Sequence, residues 1–142
     1  MCPVALGHSL AMSSATDLHA LVSTVMRDID TDLEAFFGHF APDCRFAWGN
    51  EEPVHGLEAI RSFAGRMLAG VSEARHDVLE RLVGEDSAAV RLDMSYTLLD
   101  GSTFRAPAVS YMRFRGERIC EYRIYQDPTP LKRAAEVLAA PR

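Results

Sequence analysis

Val90-Arg91-Leu92-Asp93-Met94-Ser95-Tyr96-Thr97-Leu98 alternates apolar and polar side chains without a break. A period of two marks a strand whose two faces meet different surroundings. Asp100-Gly101 follows, and both residues tolerate the positive φ that a tight hairpin turn needs. Thr103 to Phe114 then reads as the returning strand, Arg115-Gly116-Glu117 as a second turn, and Arg118 to Gln126 as the last strand. Upstream, a turn near Gly84 to Ser87 pairs a strand over 75–83 with the one over 88–98. The second half of the chain is thus a meander of antiparallel strands.

The first half has the helical period instead. Leu18, Leu21, Val22, Val25 and Ile29 recur at helix spacing, with Thr16 as the expected N-cap. Thr31-Asp32-Leu33-Glu34 reads as a capping box opening a short helix with Leu33, Phe36, Phe37 and Phe40, ended by Ala41-Pro42-Asp43. Cys44 to Trp48 reads as a strand and Leu57 to Leu68 as a third helix, closed by Gly70. Thr129-Pro130 starts a terminal helix, with Pro at its first position. Helices first and hairpins after predict an α+β domain with helices on one face of one sheet. Residues 1–15 lack periodicity and are expected to be a flexible arm, with 16–142 a single domain.

Composition narrows the function. The net charge is −5, which disfavours a protein that tracks phosphates along nucleic acid. Arg113, Arg115, Arg118 and Arg123 are interleaved with Glu117, Glu121 and Asp127, as on a solvated strand face. No run approaches the ~18 apolar residues of a membrane span. No basic region precedes an apolar one at the N-terminus, so no signal peptide is expected and the cytoplasm is the expected location. Cys2, Cys44 and Cys120 are odd in number with no C-x-x-C, which points to neither a disulfide framework nor zinc. Asp28-Ile29-Asp30-Thr31-Asp32 imitates a calcium loop, but the sixth position is Leu33 and the twelfth His39, so calcium is rejected. No phosphate loop, H-E-x-x-H or G-x-S-x-G occurs, and no cofactor is expected.

Three segments carry a family resemblance. They are Asp32-Leu33-Glu34-Ala35-Phe36-Phe37 running into Phe40-Ala41-Pro42-Asp43-Cys44-Arg45-Phe46, then Gly56-Leu57-Glu58-Ala59-Ile60-Arg61-Ser62-Phe63, then Arg118-Ile119-Cys120-Glu121-Tyr122-Arg123-Ile124-Tyr125-Gln126-Asp127. Over about residues 16–131 the chain resembles the SnoaL-like group of the nuclear transport factor 2-like superfamily, relatives of ketosteroid isomerases and limonene epoxide hydrolase. The resemblance implies a cone-shaped, curved antiparallel sheet wrapped around N-terminal helices (a cystatin-like roll), a deep pocket and commonly a homodimer. It does not fix the chemistry. The isomerase general base would fall at Trp48 and its oxyanion-hole acid near Ser110, and neither residue can serve. The Arg-x-Asp of the epoxide hydrolase matches Arg91-Leu92-Asp93. Its second carboxylate falls at Ile124, and its water-positioning pair at Phe46 and Trp48.

Two readings of the strand over 90–98 compete. Hydrophobicity turns Val90, Leu92, Met94, Tyr96 and Leu98 inward, whereas the resemblance turns Arg91, Asp93, Ser95 and Thr97 inward. The second reading leaves an outward apolar stripe that a homodimer through the sheet face would cover. It also assembles a site. Asp93 becomes a candidate general base, Arg91 the charge that keeps it ionised and His76 or Tyr122 the proton donor, with Glu80 on the same face as His76. Phe46, Trp48, Met67, Ser95, Ser110, Tyr122 and Ile124 become candidate ligand-binding residues. Tyr122 and Ile124 join only if the turn at 115–117 has three residues. The expected ligand is a small apolar or aromatic molecule. The expected role is that of a cofactor-independent isomerase, cyclase or hydratase, or else of a non-catalytic binding or dimerisation module.

Overall fold

The computed structural model describes residues 17–139, so the expected arm over 1–15 lies outside the described residues. Helix α1 (Leu18–Thr31) is capped by Asp17, whose carboxylate accepts from the Ala20 N–H at 3.2 Å. Helix α2 (Leu33–Gly38) is capped by Asp32 rather than Thr31. Asp32 accepts from the Ala35 N–H at 3.1 Å, while the Thr31 hydroxyl donates to the Arg27 carbonyl within α1. Glu34 leaves the expected capping box to pair with Arg61 on α3 (Leu57–Met67) at 2.6 Å. Asp28, buried in α1, accepts from His39 Nε2 at 2.8 Å and ties the two N-terminal helices together.

Strand β1 (Phe40–Trp48) starts four residues before its expected beginning at Cys44. Pro42 is tolerated there because the ladder between β1 and β6 (Arg118–Tyr125) is irregular between Phe40 and Arg45. Proline has no N–H to give a regular ladder. Strand β2 (Val54–His55) is a two-residue edge. Strands β3 (Val71–Val83), β4 (Ser87–Leu98) and β5 (Thr103–Arg115) form the expected meander with β6, and α4 (Thr129–Ala139) follows.

The expected cone-shaped antiparallel roll is corrected. The six strands lie in the order β2-β1-β6-β5-β4-β3, with β2 and β3 as separate edges, so the sheet is open. It is also mixed, because β1 and β6 run parallel. A parallel pair needs a long crossover rather than a hairpin. Here the crossover is everything from β2 to β5, which is why the hairpin pattern could not reveal it. The expected α+β architecture stands, without closure.

Hydrophobicity, not the resemblance, gives the correct face of β4. Val90, Leu92, Met94 and Tyr96 are buried, with Val22 and Val25 of α1 and Ile60, Phe63 and Met67 of α3 in the same core. Helix α3 is capped at Leu68, and Gly70 does not take the positive φ of the expected closing glycine but meets α4 instead. A Cβ there would lie 2.7 Å from the carbonyl carbon and oxygen of Ala134 on α4. Gly70→Ala should therefore cost about 1–3 kcal/mol by overpacking against backbone. Gly65→Ala, with nothing within 4 Å, should be neutral or slightly stabilising. Equilibrium urea unfolding of both variants measures the contrast.

Candidate functional site

Between the even-numbered face of the sheet and the N-terminal helices lies a cavity of about 260 Å³. A cavity of ~150 Å³ takes benzene, so this one suits more than a single ring. Phe36, Phe37, Phe46, Trp48 and Tyr122 give it an aromatic wall. Phe46 stacks on Tyr122 with ring centroids 5.7 Å apart, and Phe36 meets Tyr122 edge-on at the same separation. Small side chains on β5, such as Ala108, leave the space open.

Two β-bulges decide which polar groups reach this wall. In β3, His76 pairs with Met94 and Val78 with Leu92, but Glu80 pairs with Arg91, so Leu79 is an extra residue. His76 therefore faces the cavity with Met94, while Glu80 faces out with Arg91. In β6, Arg113 pairs with Glu121 and Phe114 with Ile119, so Cys120 is the extra residue. The turn between Arg115 and Arg118 has two residues, which alone would turn Tyr122 away. The bulge restores the phase and returns Tyr122 and Ile124 to the inner face.

Four polar side chains in the wall matter, His76, Ser110, Tyr122 and Gln126, together with Asp30, which is bonded to the first. His76 Nδ1 lies 2.6 Å from Asp30 Oδ1, and the His76 backbone N–H donates to Asp30 Oδ2 at 2.9 Å. Burial works to raise the Asp30 carboxyl, but these two hydrogen bonds together with electrostatic attraction to His76 and Arg75 outweigh it and hold the group below the usual carboxylate value. Tyr122 is fully buried, and its burial pushes the hydroxyl up to about 12, with Ser110 offsetting only part of this. The approach of Ser110 falls short of a well-formed hydrogen bond, and Tyr122 Oη has no partner of good geometry. Gln126, just past β6, accepts at Oε1 from Trp48 Nε1 at 3.0 Å and from Tyr96 Oη at 3.1 Å.

A family model described as the SnoaL-like domain matches residues 19–122. The chain belongs to the SnoaL-like family. Solved structures agree with the fold. A nuclear transport factor 2-like protein of unknown function from Burkholderia pseudomallei is 17% identical with a TM-score of 0.75, over 84% of this chain and 98% of that one. TerC, co-crystallised with polyporic acid, is 16% identical with a TM-score of 0.71, over 83% and 97%. A candidate SnoaL-like polyketide cyclase from Jannaschia is 19% identical with a TM-score of 0.69, over 87% and 94%. None of the curated proteins compared with the chain matches it.

In this SnoaL-like domain the residues expected to form one site are divided between the two sheet faces. Phe46, Trp48, Ser110, Tyr122, Ile124 and His76 line the cavity. Met67 is buried in the core from α3, outside the lining. Asp93, Arg91 and Ser95 stand on the outer face, so the expected constellation of Asp93 and Arg91 with His76 does not form. Nor are Asp93 and Arg91 partners. Asp93 is held by Arg105 at 2.5 and 3.0 Å, and the same guanidinium reaches Ser95 at 2.9 Å. Arg91 instead donates to Glu80 at 3.3 Å. The apolar stripe that a second copy was to cover is core, so that argument for a homodimer through the sheet face falls. Asp30 and Gln126 were not foreseen. Asp30 sat inside the false calcium loop, and Gln126 closed the last strand. Among the described residues no cluster of three metal-binding side chains occurs, and no helix is long and apolar enough to cross a membrane. Cys44 is a buried free thiol, raised by burial to about 12, which is the wrong direction for a nucleophile.

Two measurements check these assignments. Tyr122→Phe removes a buried hydroxyl that lacks a partner, and should raise the unfolding free energy by about 1 kcal/mol in urea. Because the Asp30 carboxyl is lowered, the stability it lends is complete above the ordinary carboxylate range. It is lost as pH falls through the lowered value. The stability gap between wild type and Asp30→Asn should therefore be widest at neutral pH and narrow below about pH 4.

Proposed function

We propose that the cavity binds a small, mostly apolar ring compound and that His76 exchanges a proton with it, oriented by Asp30. The observation that carries this reading is the 2.6 Å contact between Asp30 Oδ1 and Nδ1 of His76, which lines a mostly apolar cavity. Asp30 grips both the ring and the main chain of His76, which fixes where the imidazole sits. With Nδ1 engaged, Nε2 has no hydrogen-bond partner among the described residues. A neutral imidazole that donates Nδ1–H to a carboxylate carries its lone pair on Nε2, the arrangement of a general base. Returning the proton to a different atom of the ligand completes an isomerisation; the same abstraction from carbon can open a cyclisation, and abstraction from a water molecule can open a hydration. No cofactor takes part in this chemistry.

The relatives support a small-molecule ligand. One is solved with polyporic acid and another is named as a candidate polyketide cyclase. A non-catalytic binding module is the second reading, favoured by a lining that is mostly aliphatic and aromatic.

A bicyclic ketone, 2-tetralone, separates the two readings. It exchanges its C1 hydrogen with solvent when a base removes the proton and deuterium returns from D2O. Wild type should accelerate the exchange over buffer, as followed by proton NMR. His76→Gln and Asp30→Asn should each lose about 10²-fold of that acceleration or more. Exchange at the buffer rate, with binding seen by calorimetry, would leave the binding module as the answer.

A further inference from the structure

The indole nitrogen of Trp48 can only donate a hydrogen bond, so the Gln126 atom 3.0 Å from it must be the carbonyl oxygen. That one contact fixes which way the amide faces. Tyr96 Oη meets the same oxygen at 3.1 Å and fills its remaining acceptor capacity. Gln126 Nε2 is then a buried amide nitrogen with two hydrogens and no hydrogen-bond partner among the described residues. Trp48, Tyr96 and Gln126 all line the cavity. The backbone is held as firmly as the side chain. The Gly49 N–H donates to the Ile124 carbonyl at 2.8 Å, and a Cβ on Gly49 would come within 2.9 Å of the Gln126 carbonyl oxygen and of Pro128.

A polar group locked in place and left unpaired inside an apolar wall costs stability unless something in the cavity answers it. An amide that could turn over would serve donors and acceptors alike, but this one cannot. We infer that Gln126 is a specificity residue that presents only a donor, and that it selects ligands with a neutral acceptor oxygen, such as a ketone or quinone carbonyl, at the Trp48 end of the cavity. The inference rests on the cavity being the ligand site and deepens that reading. It assigns Gln126 no part in the proton transfer. His76 stands on β3 and Gln126 at the end of β6, three strand spacings apart, so the two residues act on different parts of a ligand.

The test compares 2-tetralone with tetralin, the same bicycle without the oxygen, by calorimetry. Wild type should bind the ketone about tenfold more tightly. In wild type, the side-chain amide resonances of Gln126 should move on adding the ketone and stay in place on adding tetralin. Gln126→Glu keeps an acceptor for Trp48 and Tyr96 but removes the donor. It should abolish the preference for the ketone while changing tetralin affinity less than threefold. If wild type binds both compounds equally, the assignment of Gln126 is overturned and the cavity reading survives. A preference that persists in Gln126→Glu and disappears in Tyr122→Phe gives the role to Tyr122 and also overturns it. Should wild type bind neither compound, both readings fall. If Gln126→Glu no longer binds tetralin, the wild-type amide resonances decide, and unmoved resonances refute the inference.

Discussion

Side chains on a strand alternate with a period of two, so one inserted residue reverses the face of every position beyond it. Leu79 in β3 and Cys120 in β6 are two such insertions, and the cavity depends on both. Without the first, His76 and Glu80 would share a face, and a carboxylate would stand where the structure keeps an apolar wall. Without the second, Tyr122 and Ile124 would turn outward and Arg123 would turn in. Bulges add to the twist of the strand that carries them. Here they also sort polar from apolar groups, and the sheet can carry a charged network outside and an aromatic cavity inside.

This explains which parts of the fold were legible. The alternation in β4 and the Asp100-Gly101 turn were plain, and they located the meander. Helices α1 and α3 announced themselves by period, although the caps of α1 and α2 are Asp17 and Asp32, each one residue past the expected threonine. The parallel pairing of β1 with β6 left no mark in the chain, since it joins segments some seventy residues apart. The bulges were equally silent, because Leu79 and Cys120 look like ordinary members of their strands. A resemblance to enzymes with a polar site on the strand equivalent to β4 then favoured the wrong face. The local apolar pattern of Val90 to Tyr96 was the better guide.

The site was half legible for the same reason. The aromatic residues Phe46, Trp48 and Tyr122 could be anticipated because they sit in apolar segments. Asp30 could not, since it reaches His76 from a helix forty-six residues earlier. Asp93 and Arg91 looked catalytic in one dimension, and in three they belong to surface hydrogen-bond networks, Asp93 with Arg105 and Arg91 with Glu80. The inner groups are fewer and more strongly perturbed. A tyrosine hydroxyl and a glutamine amide nitrogen are buried without hydrogen-bond partners among the described residues, and an aspartate is held ionised beside a histidine. Groups left unsatisfied in a well-packed core are a stability cost, of the kind associated with sites shaped for a ligand.

Trp48 is the single tryptophan of the chain. It lines the cavity, is buried, and donates its indole N–H to Gln126. The protein therefore carries its own optical reporter at the place where a ligand would sit. Ultraviolet emission excited at the red edge of protein absorbance comes from this one ring, with no other indole to dilute it. Its colour responds to the polarity of the cavity, and its intensity to whatever quenches it there.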